Sequence, residues 1–181
     1  MIRLVLGSFL IISHIYDVEP APTENYPYSE ALASKYMLYW KYNATHITFE
    51  THVQALGYTG FGISANGSMF PGDVIIGYVS HHQGYLTDFH TTAHAPPTVD
   101  SSQDWTLISF SEDNGSTVLK FSRALHPNDS DDYPIHAGVT HVIWSYSTTD
   151  PKSPTDMIYH DATRGSKDII LLTKDPVAVG K

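Results

Sequence analysis

Eleven histidines and nineteen acidic residues are present in this chain, and cysteine is absent. Without a thiolate there is no disulfide, no sulfur metal ligand and no sulfur nucleophile. The histidines are the first candidates for chemistry. His81-His82 sits between Val79 and Tyr85, at an expected hairpin tip. Neighbouring strand residues point to opposite faces, so this pair could meet one ion only on an unusual backbone. It therefore reads as a solvated turn. No HxxH, HExxH or His-x-His spacing occurs, and His52, His90, His126 and His136 gain no partner from spacing alone. His141, on the strand face opposite Val142, reads as a packed or edge histidine. Neither GxSxG nor GxxxxGK[ST] is present. Asp129, Asp131 and Asp132 lack EF-hand spacing and read as a solvated face. No pair of carboxylates is marked for glycoside chemistry. These residues give no catalytic centre. The segment suited to a ligand is Gly60–Val79, GFGISANGSMFPGDVIIGYV. Two apolar runs flank a polar loop with Gly67, Met69 and Pro71, and Asp73 opens the second run.

The elements that would hold this segment are strands. Short β-branched and aromatic runs, broken by Gly, Asn and Pro, occur at 36–42, 46–55, 58–64, 72–79, 84–91, 104–111, 116–123, 138–147 and 169–173. In the second run Ile47, Phe49, Thr51 and Val53 alternate onto one face. Asn114-Gly115, between Ile108–Phe110 and Val118–Phe121, is a strong hairpin signal. No helix of convincing length appears, although Ser29 to Tyr36 could form two turns. So many short strands predict an all-β, antiparallel sandwich. A length of 181 residues, with 41% hydrophobic and 16% charged residues, is enough for one cored domain. A net charge of −9 argues against nucleic acid or an anionic membrane surface as partner.

Met1-Ile2-Arg3 followed by the apolar run Leu4–Ile12 has the form of a secretory signal peptide and is too short to span a bilayer. The expected organisation is a signal peptide at 1–16 with an open cleavage position and a linker at 17–34. A domain at 35–150 follows, then a C-terminal loop and last strand at 151–181. No other segment reads as a membrane span. Four sequons, at Asn43, Asn66, Asn114 and Asn128, each fall on an expected turn and fit a secreted glycoprotein.

Several segments in order carry a resemblance. They are Trp40 with the alternating strand after it, Phe61-Gly62-Ile63-Ser64, Gly72-Asp73-Val74-Ile75-Ile76-Gly77 and Asp104-Trp105. Phe121-Ser122-Arg123-Ala124-Leu125, Val142-Ile143-Trp144-Ser145-Tyr146, Tyr159-His160-Asp161 and Arg164-Gly165-Ser166 follow. Together they resemble DOMON domains, above all those preceding the catalytic domains of dopamine β-hydroxylase-like copper monooxygenases. The resemblance implies an immunoglobulin-like β-sandwich that is non-catalytic by itself. It places copper in catalytic domains beyond this chain, which would be partners in a longer product or in trans. A cysteine of that branch is matched here by Asn128. The resemblance further implies a hard cation such as Ca²⁺, held by the carboxylates of Asp73 and Asp104 and the carbonyls of Val74 and Phe89. The alternative for the two aspartates is capping of strand ends. In the cytochrome-type branch a loop Met and a late His ligate haem b, and Met69 and His160 stand at those positions. A carbohydrate-binding module using Trp105, Tyr85 and Tyr78 is a further alternative.

Overall fold

The computed structural model describes residues 20–174, so the expected signal peptide at 1–16 lies outside the described residues. The strands are β1 (Tyr28–Ala33), β2 (Tyr36–Tyr42), β3 (His46–Val53), β4 (Thr59–Ser64), β5 (Gly72–Ser80), β6 (Gln83–Thr91), β7 (Thr98–Val99), β8 (Thr106–Asp113), β9 (Ser116–Ala124), β10 (Gly138–Tyr146) and β11 (Arg164–Leu172). No helix occurs among the described residues. One sheet runs β1-β2-β3-β9-β8 and the other β11-β10-β4-β5-β6-β7, with every named pairing antiparallel. The expected all-β sandwich is the observed fold.

Alternation decides which side chains enter the space between the sheets. Ile47, Phe49, Thr51 and Val53 of β3 are all buried, as their spacing predicts. Phe49, Phe61, Phe121 and Trp105 form a ring cluster with centroids 4.7–6.1 Å apart. The Trp40 Nε1–H donates to the Leu171 carbonyl at 3.0 Å, joining the two sheets at their other end. Burial of Trp105 and Tyr78 removes them as exposed sugar-stacking platforms, and Tyr85 stacks on Tyr78 at 4.8 Å.

The expected linker is revised. Residues 28–33 pair with β2 as β1, and the two turns of helix considered at Ser29–Tyr36 do not form. Residues 20–27 lie over the outer face of β2, β3 and β9 as a strap. The Thr23 N–H and Tyr26 hydroxyl donate to the Glu50 carboxylate, both at 2.8 Å, and the Thr23 hydroxyl donates to it as well. Glu24 forms ion pairs with Lys41 and Lys120. The strap explains why Glu50 and His52, on the outer face by alternation, are nonetheless buried.

Two hairpins close with left-handed residues. Asn114 (φ 50°) and Gly115 (φ 80°) join β8 to β9, as their dipeptide signals. His81 (φ 51°) and His82 (φ 62°) join β5 to β6, a backbone that histidine adopts more readily than most side chains.

Candidate functional site

Strand β4 contributes Phe61 and Ile63 to the core, so Gly60 and Gly62 lie on its outer face. A Cβ at Gly60 would meet Ser145 Oγ at 2.4 Å, and one at Gly62 would meet Val74 Cγ1 at 2.5 Å. The glycines leave a flat floor between β10 and β5. Above it opens a pocket of about 620 Å³, walled by the 67–69 loop, the 94–97 loop and residues 157–160. Most of its wall is apolar, including Val74, Ile143, Met157 and Ile158.

Met69 and His160, more than ninety residues apart, both line this pocket. The Met69 carbonyl accepts from Thr91 Oγ1 at 2.6 Å, and the Ser68 carbonyl accepts from Ser64 Oγ at 2.7 Å. Phe70 packs edge-on against His94 at 4.7 Å, tying the two wall loops together. On the opposite wall the His160 carbonyl accepts from the Thr163 N–H at 2.9 Å, while the Thr163 carbonyl accepts from the Tyr146 N–H at 3.0 Å. His160 Nδ1 lies 3.2 Å from the Asp161 carbonyl. The same Nδ1 lies 3.3 Å from Arg164 Nη1, which can only donate, so Nε2 is free for a metal only in the tautomer whose Nδ1–H faces the Asp161 carbonyl.

A second constellation lies on the inner side of β5 and β6. Asp73 and Asp88 point inward, and the 126–136 loop adds Asp132, so that one carboxylate oxygen from each comes within 4.8 Å of the others. Asp73 accepts from Trp105 Nε1 at 3.0 Å and pairs with the buried guanidinium of Arg123, which also donates to the Tyr133 carbonyl and lies 4.7 Å over the Trp105 ring. Asp88 Oδ2 accepts the Asp104 N–H at 3.1 Å. Asp88 Oδ1 and Asp132 Oδ2 are buried without a hydrogen bond. Burial, reinforced by Asp73 and Asp132, pushes the Asp88 carboxyl up to about 8. Burial and Asp73 push Asp132 up to about 7. Burial also raises Asp73, against the pull of Arg123. One cation, Arg123, thus serves several buried carboxyls, an arrangement that an added hard cation would relieve.

The two carboxylates expected around a cation lie on the inner side, while Val74 and Phe89 were expected to offer backbone carbonyls, which lie in the plane of the sheet. Asp73 points inward, and the Asp104 carboxyl adjoins Asp132. Val74 and Phe89 oppose each other across β5 and β6, with their side chains in the outer pocket wall and the outer cluster. Asp88, beside Phe89 on the same hairpin arm, and Asp132 join the group as further carboxylates. Alternation along β6 is the signal for Asp88. Nothing in the sequence marks Asp132, which was expected in water and is buried.

Histidines without a foreseeable partner find one. His52 Nε2 lies 2.7 Å from Glu50 Oε1. His90 Nδ1 lies 3.1 Å from Asp100 Oδ2 and 3.9 Å from Asp131 Oδ2. His126 and His136 pack ring against ring, and His141 pairs with Asp168 at 2.6 Å. The four sequon asparagines are all exposed.

The DOMON domain profile matches residues 32–147. The chain belongs to the DOMON family. It is 35% identical over 161 residues to DBH-like monooxygenase protein 1 of Mus musculus, spanning 88% of this chain and 26% of that protein. It is 33% identical over 172 residues to the Gallus gallus protein of the same name, spanning 94% and 28%. The chain thus spans about a quarter of the length of these relatives. Its DOMON sandwich superposes on the cytochrome b domain of pyranose dehydrogenase from Coprinopsis cinerea with a TM-score of 0.62 at 16% identity, covering 75% of this chain and 76% of the other. It superposes on the cytochrome domain of Myriococcum thermophilum cellobiose dehydrogenase with a TM-score of 0.63 at 17% identity, covering 78% and 76%. No helix among the described residues is long and apolar enough to cross a membrane.

Proposed function

We propose that this DOMON domain is a secreted, glycosylated, non-catalytic binding module of a DBH-like monooxygenase, and that its outer pocket takes haem b between Met69 and His160. The observation that carries the reading is that Met69 and His160 both line one mostly apolar pocket of about 620 Å³. That volume suits a cofactor-sized ligand, and the glycine floor suits a planar one. The two solved relatives are named as cytochrome domains, but their low identity speaks only for the fold. With Met69 and His160 as its ligands, a bound haem would supply electron transfer rather than oxygen chemistry. The chain's own residues would set that site: Thr91 anchors the backbone at Met69, and the Asp161 carbonyl orients the His160 ring. Haem added to the purified domain is expected to bind one to one with a sharp low-spin Soret band. Met69→Ala should give a high-spin form, and His160→Ala should greatly weaken uptake. No uptake, or spectra indifferent to both substitutions, would remove this reading.

A second reading has its own observation, the buried oxygens of Asp88 and Asp132 that receive no hydrogen bond. A hard cation of the Ca²⁺ class would bind at the Asp73 cluster, with Asp104 and the Val74 and Phe89 carbonyls as further oxygen donors. Chelation should lower the melting temperature and Ca²⁺ restore it. Asp88→Asn, and separately Asp73→Asn with Asp104→Asn, should abolish the Ca²⁺ response. A melting curve blind to chelator and Ca²⁺ counts against the site.

A further inference from the structure

The 126–136 loop leaves the end of β9 and returns beside its own start. The Leu125 N–H donates to the Thr45 carbonyl at 2.8 Å, and the Ile135 N–H donates to the Leu125 carbonyl at 2.8 Å. One residue beyond each of these anchors stands an exposed histidine. The rings of His126 and His136 lie with centroids 4.8 Å apart and planes inclined at 53°. We propose that this pair is a surface clip for an imidazole-preferring divalent cation of the Zn²⁺ or Cu²⁺ class, closing the base of the loop.

The geometry matches the chemistry. An ion held by two imidazoles at about 2.0–2.1 Å in a tetrahedral arrangement sets the ring centroids about 5 Å apart. The observed spacing requires only that the rings turn their nitrogens toward a shared point, and both side chains are exposed. Water completes the shell. Imidazole donors select Zn²⁺, Cu²⁺ or Ni²⁺ over Ca²⁺ and Mg²⁺. Asp129 and Asp131 in the same loop, on a chain of net charge −9, make the surroundings attractive to cations.

The clip would act on the loop's inner end. Tyr133 and Asp132 are the loop residues that reach Arg123 and the Asp73 cluster. An ion bridging residues 126 and 136 removes closure entropy from the open loop and so favours the state with Tyr133 and Asp132 seated. The site shares no ligand with the haem pocket or with the oxygen cluster, and it stands without either of them.

The test is calorimetric titration of the purified chain with Zn²⁺, with Ca²⁺ in excess so that the oxygen cluster is not the acceptor. One Zn²⁺ per chain is expected, with a raised melting temperature. His126→Ala and His136→Ala should each weaken binding at least about tenfold, the loss of one of two protein ligands, while His90→Ala, which dismantles the separate His90–Asp100–Asp131 group, leaves it unchanged. Because both histidines are exposed, circular dichroism of the variants should match the parent. Cu²⁺ should broaden the NMR signals of His126 and His136 ahead of those of other histidines. Absence of Zn²⁺ binding, binding indifferent to both histidine substitutions, or binding lost in His90→Ala would overturn the proposal.

Discussion

The Asp73–Arg123 pair is the clearest single-residue commitment in the molecule. Both side chains are buried, and Trp105, Tyr133 and Asp132 surround them. Removing one member leaves the other charged in the core, which costs about 3–5 kcal/mol. Arg123→Leu should therefore lower stability by that order in urea denaturation. A loss below about 1 kcal/mol would mean that Asp73, left without its cation, takes up a proton or water instead. The motif around Arg123 is legible in the sequence, but its partner is not, because fifty positions separate Arg123 from Asp73 and only the pairing of the two sheets brings them together. The same limit hid Asp132. A carboxylate in a loop of Asp, Asn and Ser reads as solvated until the loop is seen folding inward.

At the level of elements, the outer face of β4 decides whether the pocket exists. Gly60→Val would push side-chain atoms onto Ser145 and occupy the floor. Uptake of haem should fall at least about tenfold while far-UV circular dichroism stays β-type, since the site loses volume rather than its strands. The strap at 20–27 is the other element with a definite energetic role. Glu50 is drawn down to about 2: burial opposes its ionisation, but donors from His52, Thr23 and Tyr26 outweigh it. Glu50→Gln weakens charge-assisted hydrogen bonds worth about 1.5–3 kcal/mol each in comparable settings. The variant should release the strap to limited proteolysis near residues 20–27, faster than the parent under native conditions. Equal cleavage rates would show that the strap is held by other contacts. Sequence patterning could not reveal it, because Pro- and Glu-rich segments look alike whether they hang free or lie on a sheet.

For the whole molecule, two groups of carboxyls pull the pH dependence in opposite directions. Glu24, drawn to about 2 by Lys120 and Lys41, and Glu50, also near 2, have folded values below their unfolded ones. Their contribution is present above about 4.5 and is lost as pH falls toward 2. Asp88 and Asp132, pushed up to about 8 and about 7, have folded values above their unfolded ones. Their protonated forms fit the core, so their contribution is full below about 4 and is lost as pH rises through 7 to 8. In chelator the melting temperature should therefore peak in the weakly acidic range and decline toward pH 8. Asp88→Asn should flatten the alkaline decline. Saturating Ca²⁺ should remove it, if the cation takes the place of the protons. A profile still rising at pH 8 in chelator would contradict the buried-carboxyl account.

The sequence alone determined the sandwich, the strand bounds to within a few residues over most of the chain, the Asn114-Gly115 hairpin and the inward face of β3. Each of these follows from local rules: alternation, β-branched runs and turn residues act over a few positions. It also placed Met69 and His160 as a pair, though only through resemblance. Tertiary structure decided what lies across a distance. It turned residues 20–33 of the expected linker into a strap and β1, because an open polar sheet face and an unpaired edge were there to receive them. It set Asp132 beside Asp73 and Asp88, and it gave His52, His90, His126 and His136 their partners. Register and loop return fix those meetings, and neither is written in the spacing of residues along the chain.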